Sequence, residues 1–127
     1  MYAIEKNGDH LLVRFKQNFN ALLIQSIIHH LTRLNEYPHT NDIWLIGDFR
    51  SDIRLGELEA MVKEFNCHCP HDATRTKTAI VATQGLTQAI LELWVKAIKK
   101  RVAFDICIFE TLEDACEWMD IEYTMVA

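Results

Sequence analysis

Hydrophobic positions in the first 40 residues repeat with two different periods. Apolar and polar side chains alternate in residues 10–16, and an Asn-Gly pair at Asn7 separates this run from the short apolar segment 2–5. Asn-Gly between two such segments predicts an antiparallel β-hairpin. Residues 18–37 carry apolar side chains three and four positions apart, which predicts a helix that ends before Pro38.

The rest of the chain alternates short apolar runs with amphipathic helical segments. The predicted strands are residues 43–46, 78–83 and 104–109, and the predicted helices are residues 55–65, 86–100 and 111–119. The element order is therefore β-β-α-β-α-β-α-β-α. It predicts a single α/β domain over residues 1–127, with a mixed, mostly parallel sheet of four or five strands and about four helices.

Composition narrows the classes of function. The 127 residues include 13 basic and 18 acidic side chains, and a net charge of −5 argues against a nucleic-acid partner. We see no signal peptide and no apolar run that spans a membrane, which predicts a cytoplasmic location. Because the cytoplasm is reducing, the four cysteines are expected to be free thiols. GxSxG, Walker A and GxGxxG motifs are absent, which predicts a protein that is not an enzyme and has no cofactor. A hydrolase-like site assembled in space from histidines and carboxylates is an alternative without a motif.

The loop after the predicted strand 43–46 is a candidate ligand site. Open α/β sheets bind ligands in the crevice beyond the carboxyl ends of their strands. Arg50 and Arg54 in this loop are suited to an anionic group, and Ser51 is suited to donate a hydrogen bond. The alternative is a solvated connection in which acidic neighbours balance the arginines.

The third predicted helix carries more apolar surface than one packed face needs. Its main stripe comprises Ala89, Ile90, Leu93, Trp94, Ala97 and Ile98. Leu91 and Val95 widen this stripe, which predicts an apolar pocket or a homodimer interface, with one broad core contact as the alternative. We therefore predict a non-enzymatic regulatory or ligand-sensing module for an apolar or anionic small molecule. Its predicted ligand-binding residues are Asp48, Arg50, Ser51, Leu91, Trp94 and Val95.

Two further clusters suggest other chemistry. The third predicted helix ends in a basic cluster of Lys96, Lys99, Lys100 and Arg101. These cations complement the helix dipole, and they also predict a weak, salt-sensitive contact with an anionic membrane surface. Residues 67–71 read Cys-His-Cys-Pro-His, and Cys67, Cys69 and His71 predict a metal site or a redox-active thiol as the alternative function. A surface loop is the other interpretation, since Cys-x-Cys is closer than the usual zinc spacing.

The second half of the chain resembles the SpoIIAA-like branch of the STAS-like proteins. In that branch an Ala-Ile-Val strand leads into a helix, and a later strand ending in Phe precedes a Leu-Glu-x-Ala-x-x-Trp-Leu helix. The matching residues are Ala79, Ile80, Val81, Phe109, Leu112, Glu113, Ala115, Trp118 and Met119, the last replacing the usual Leu. With the element order, the resemblance covers roughly residues 1–120.

The resemblance implies a STAS-like fold and a regulatory interaction module without established catalysis. Some STAS proteins bind nucleotides or apolar ligands, and relatives in the SpoIIAA-like branch are linked to ligand binding and membrane association. One feature departs from the family. Its anti-sigma-factor antagonists carry a phosphorylatable Ser in an Asp-Ser-x-Gly-like stretch, whereas Asp48, Ser51 and Gly56 do not have that spacing. Partner switching by phosphorylation of Ser51 is therefore not expected.

Overall fold

The described residues of the computed structural model form five strands and four helices in the order that the sequence predicts. They are residues 2–8, 10–34, 40–57, 59–63, 76–83, 85–99, 101–102 and 104–121. The strands are β1 (Tyr2–Asn7), β2 (His10–Phe15), β3 (Asn41–Gly47), β4 (Lys77–Ala82) and β5 (Asp105–Phe109). The helices are α1 (Ala21–Thr32), α2 (residues 59–63), α3 (Gly85–Ile98) and α4 (Leu112–Met119), and Leu55–Glu57 forms a 3-10 turn.

The five strands lie side by side in the order in which they occur along the chain. β1 is antiparallel to β2, and every later neighbour pair is parallel. The hairpin turn pairs Asn7 with His10, and Gly8 adopts the left-handed backbone that its Asn-Gly sequence favours. The prediction of an α/β domain with a mixed, mostly parallel sheet is confirmed.

The sequential strand order puts the crossover helices on one face of the sheet. Each parallel connection is right-handed in nearly all proteins, so connections that advance in one direction place their helices on the same side. α1, α2 and α3 share one core with this face, which we call the first face. Its core includes Val13, Trp44, Ile80 and Ile106 from the strands and Ile27, Met61, Leu91 and Ile98 from the helices.

Among the described elements, α4 is the helix that covers the opposite, second face. It packs Ala115, Cys116 and Met119 on strand residues that point away from the other helices. These strand residues are Leu12, Ile43, Ala79 and Val81. The rings of Phe109 and Trp118, which belong to the family-like pattern, also lie on this face, with their centroids 5.5 Å apart. Lys77 lies beside them, because its Nζ donates a hydrogen bond to the Trp118 carbonyl at 3.0 Å. The pattern on which the STAS resemblance rests is therefore a packing feature of this face.

The helix boundaries differ from the predicted ones at α1. Asn20 caps the start of this helix, because its Oδ1 accepts a hydrogen bond from the Leu23 amide at 2.9 Å. The helix ends at Thr32, five residues before the predicted end, although Leu34 still packs against the first-face core. Residues 35–39, with Pro38, lie outside the described residues.

The face that α3 buries matches the predicted stripe only at Trp94 and Ile98. The structure buries Thr87, Leu91, Trp94, Val95 and Ile98. Leu91 and Val95 are therefore core residues rather than an extra surface, whereas Ala89, Leu93 and Ala97 are exposed. This correction moves the free apolar surface of α3 to the side that carries Ile90 and Leu93.

Candidate functional site

The loop that follows β3 is held in place by a segment near the start of the chain. Gly47 ends β3 in a left-handed conformation. The Phe19 amide then donates to the Arg50 carbonyl at 2.9 Å, and the Asp52 amide donates to the Phe19 carbonyl at 2.7 Å. The Arg50 amide donates to Asn18 Oδ1 at 2.9 Å. Through these bonds, Ser51 pairs with Phe19 as a short parallel bridge. They fix the path of the loop before any ligand binds.

Ser51 connects this loop to α3. Its amide donates to the hydroxyl of Thr87, which is buried in the first turns of α3, at 3.3 Å. Its own hydroxyl oxygen accepts from the Ile53 amide at 3.3 Å. A serine hydroxyl has one donor and two acceptor positions, so this bond leaves the Ser51 proton available to an incoming group.

A pocket of about 200 Å³ lies between this loop and α3. Its walls are mostly apolar, with two polar residues contributed by the loop. The lining residues are Ser51, Ile53, Arg54, Ile90, Leu91, Leu93 and Trp94. Leu93 is 63% exposed and forms part of the rim, whereas Leu91 belongs to the core. The name loop–α3 pocket is used below for this cavity.

Trp94 gives the wall of the loop–α3 pocket an unsatisfied polar group. The side chain is only 5% exposed, and its Nε1–H has no hydrogen-bond acceptor within the described part of the chain. Buried donors are almost always paired, and leaving one unpaired costs about 1–3 kcal/mol. The Nε1 atom is enclosed by protein atoms, so Trp94 contributes its apolar ring surface to the pocket wall.

Arg54 places a positive charge at the same pocket. The residue is exposed, and its backbone amide donates to Glu57 Oε1 at 2.9 Å. Within the described ranges, the structure gives the Arg54 guanidinium no ion pair. Its donors therefore remain available to an anion.

The structure brings together three of the six predicted ligand-binding residues. Ser51, Leu91 and Trp94 line the loop–α3 pocket. Asp48 and Arg50 are exposed and do not line it, and Arg54 supplies the cation instead. Val95 is buried and lies beside a separate, more open depression between α3 and β5.

Sequence reasoning did not assign Ile53 to the site. This residue is one of three large apolar side chains in the loop, with Phe49 and Leu55, and its position between Ser51 and Arg54 was the available signal. Ile90 and Leu93 appeared only within the broad α3 stripe. Their role depends on which side of the helix faces the sheet.

The structure describes three of the four residues of the predicted basic cluster. Lys96 and Lys99 are exposed and line the depression next to β5. Arg101 instead contacts Glu59 of α2 through two hydrogen bonds of 2.7 and 2.8 Å. This bond and the positive charge of Arg101 lower the pKa of the Glu59 carboxyl. Lys100 lies outside the described residues.

The predicted metal or redox site falls on a segment for which no placement is described. Cys67, Cys69 and His71 all lie outside the described residues. Within the ranges that are described, no three His, Cys, Asp or Glu side chains are grouped as a metal site would need. Cys107 and Cys116 are free thiols, and burial raises the pKa of the Cys116 thiol.

No family model, no curated protein and no solved structure matches this chain. Across the described residues, every helix is too short or too polar to cross a lipid bilayer.

Proposed function

We propose that this protein is a non-enzymatic regulatory module that senses a small apolar or anionic molecule in the loop–α3 pocket. One observation carries the proposal: a mostly apolar cavity between the loop and α3 is lined by Leu91 and Trp94, with Ser51 and Arg54 as its polar residues. Small-molecule sites commonly combine apolar walls with a few polar groups that orient the ligand. The hydrogen bonds that hold the loop to Asn18 and Phe19 support a preformed site.

The polar groups around the pocket support binding rather than catalysis. The described lining residues include one hydroxyl and one guanidinium, and none of them is a histidine or a carboxylate. A nucleophilic serine needs a general base within hydrogen-bond reach. The Ser51 hydroxyl instead accepts a hydrogen bond from a backbone amide.

Family, location and partners belong to the same proposal. Membership of the SpoIIAA-like branch of the STAS-like proteins is supported by the five strands and four helices in the implied order. A cytoplasmic location is supported by the free thiols of Cys107 and Cys116. The exposed Leu93 on α3 favours a homodimer, and the exposed Lys96 and Lys99 favour weak membrane contact. Metal or thiol chemistry at Cys67, Cys69 and His71 stays a prediction.

A fragment titration followed by two-dimensional NMR tests the pocket. We expect cyclohexanol, benzamide or benzoate to shift the amide resonances of residues 51–54 and 90–94. An Ile90→Trp variant places a larger side chain in the pocket wall, so these shifts should be lost. Leu86→Trp is the matched control, because Leu86 is 67% exposed on the same helix and does not line the pocket. If no fragment shifts these resonances, or if both variants respond alike, the proposal is wrong.

A further inference from the structure

The geometry points to a small monocarboxylate, with one ring or a short branched chain, as the ligand of the loop–α3 pocket. This inference rests on the proposed function and narrows it to one chemical class.

The volume of the pocket limits the size of the ligand. An engineered apolar cavity of about 150 Å³ in another protein holds one benzene molecule. The loop–α3 pocket has about 200 Å³. It therefore accommodates one six-membered ring, or a branched chain of similar bulk, together with one small polar group. A nucleotide or a long acyl chain exceeds this volume.

The arrangement of polar and apolar groups orients such a ligand. Ser51 and Arg54 both belong to the loop, whereas Ile90, Leu91 and Leu93 belong to α3. An amphipathic molecule thus meets donors on one wall and hydrocarbon on the other. Its apolar part packs on the helix, and its polar group lies toward the loop.

The charge at the loop wall favours a carboxylate as the polar group. A guanidinium matches a carboxylate geometrically and binds it through two parallel hydrogen bonds. The nearby Glu57 carboxylate already accepts the Arg54 backbone amide. An ammonium ligand would face the Arg54 cation, and no described lining residue offers it a carboxylate. The Ser51 hydroxyl, whose oxygen accepts from the Ile53 amide, is a further donor for an acceptor.

Three probes of similar size separate the effect of ligand charge on affinity from the effect of ligand size. Benzoate, benzamide and benzylammonium have similar size and differ in the charge of the polar group. We expect NMR titrations to give benzoate a dissociation constant at least about tenfold lower than that of benzamide, as charge-assisted hydrogen bonds imply. We expect benzylammonium to leave the pocket resonances unchanged.

Two arginine variants identify the residue that binds the carboxylate of the ligand. Arg54→Gln should remove the preference for benzoate and leave the affinity for benzamide unchanged. Arg50→Gln is the matched control, since Arg50 is an exposed arginine of the same loop outside the pocket, and it should change neither affinity. Equal binding of benzoate and benzamide, unaffected by Arg54→Gln, overturns the carboxylate inference but leaves the proposed function standing. Absence of pocket shifts with all three probes overturns both.

Discussion

At the scale of single residues, Asp42 is the most unusual group among the described residues. It is only 2% exposed near the start of β3, at the opposite end of that strand from the pocket loop. The indole Nε1 of Trp44 and the hydroxyl of Thr78 donate hydrogen bonds to its carboxyl. Burial raises the pKa of Asp42 from 3.8 to about 6, and the two hydrogen bonds partly oppose this increase. The folded protein thus carries a carboxyl that holds its proton more tightly than an exposed aspartic acid does.

This raised pKa predicts a stability that depends on pH. The folded state holds the Asp42 proton more tightly than the unfolded state, so the contribution to the free energy of unfolding is complete below pH 3.8 and is lost as pH rises through 6. About two pKa units correspond to about 3 kcal/mol. Asp42→Asn has no such titration. As pH rises from 4 to 7.5, we therefore expect the free energy of unfolding of this variant to increase relative to that of the wild type by most of this amount. Urea denaturation followed by tryptophan fluorescence at several pH values measures the difference.

Asp52→Asn is the control for this measurement. Asp52 is exposed, so its replacement makes the same chemical change without altering a buried carboxyl. A difference for Asp42→Asn that is constant across the same range would contradict the assignment of a buried, raised-pKa carboxyl.

The sequence predicted the neighbourhood of the site better than its exact residues. Ser51, Leu91 and Trp94 were selected because a loop after a parallel strand and an apolar helix are both common ligand-binding features. Arg50 was selected in place of Arg54 because the spacing within a loop does not show which side chain turns toward a helix. The direction of these side chains depends on the path of the loop, which is held by its hydrogen bonds with Asn18 and Phe19, about 30 residues earlier in the chain.

At the scale of elements, the end of α4 combines a favourable motif with an unfavourable residue. The Ile121 amide donates to the Cys116 carbonyl at 3.0 Å, and the Asp120 amide donates to the Glu117 carbonyl at 3.2 Å. This is the bond pattern of a Schellman motif, which places a left-handed residue directly after the helix. Asp120 occupies that position with φ 57. An L-residue with a Cβ pays a steric cost there, and a negative charge opposes the helix dipole.

We therefore expect Asp120→Gly to stabilise the protein. Glycine adopts the left-handed backbone without a steric cost, which outweighs its greater freedom in the unfolded chain, and the net gain is about 0.5–1 kcal/mol. Chemical denaturation measures the change in the free energy of unfolding. Asp114→Gly in the first turn of α4 is the matched control, and it should destabilise by about 1 kcal/mol because it lies inside the helix. A loss of stability in both variants would contradict the role assigned to Asp120.

α3 shows why a helical pattern alone does not identify a buried face. Ala89, Leu93 and Ala97 recur at helical spacing, as do Leu91, Val95 and Ile98, and both sets are apolar. Periodicity establishes which residues lie on one side of a helix, but the sheet determines which side is covered. The strand residues that select Leu91 and Ile98 are distant in the sequence. The pocket exists because Ile90 and Leu93 face the loop instead of the sheet.

At the scale of the whole molecule, β3 is the most enclosed strand. It lies at the centre of the five-stranded order and has neighbours on both edges. Trp44 and Ile46 pack into the first-face core, and Ile43 and Leu45 pack under α4. β1 and β5 each have one free edge in this sheet.

This layout predicts a gradient of protection from hydrogen exchange. Amides that open only on global unfolding exchange most slowly, and those near free edges open locally. We expect the slowest amides in β3 and β4, with faster exchange at the outer edges of β1 and β5. Exchange followed by NMR at neutral pH measures these rates. Amides of β1 that exchange as slowly as those of β3 would contradict the layout.

The sequential strand order also has a consequence for how the chain is made. A ribosome releases β1 to β5 in the order in which they pair, so each strand meets its completed neighbour on emerging. The helices of the first face emerge between the strands and can cover it step by step. α4 follows all five strands, so the described chain offers Leu12, Ile43, Ala79 and Val81 no helix on this face until synthesis has passed Met119. The nascent protein thus exposes one apolar sheet face until late in translation, which is the surface that a cotranslational chaperone would meet.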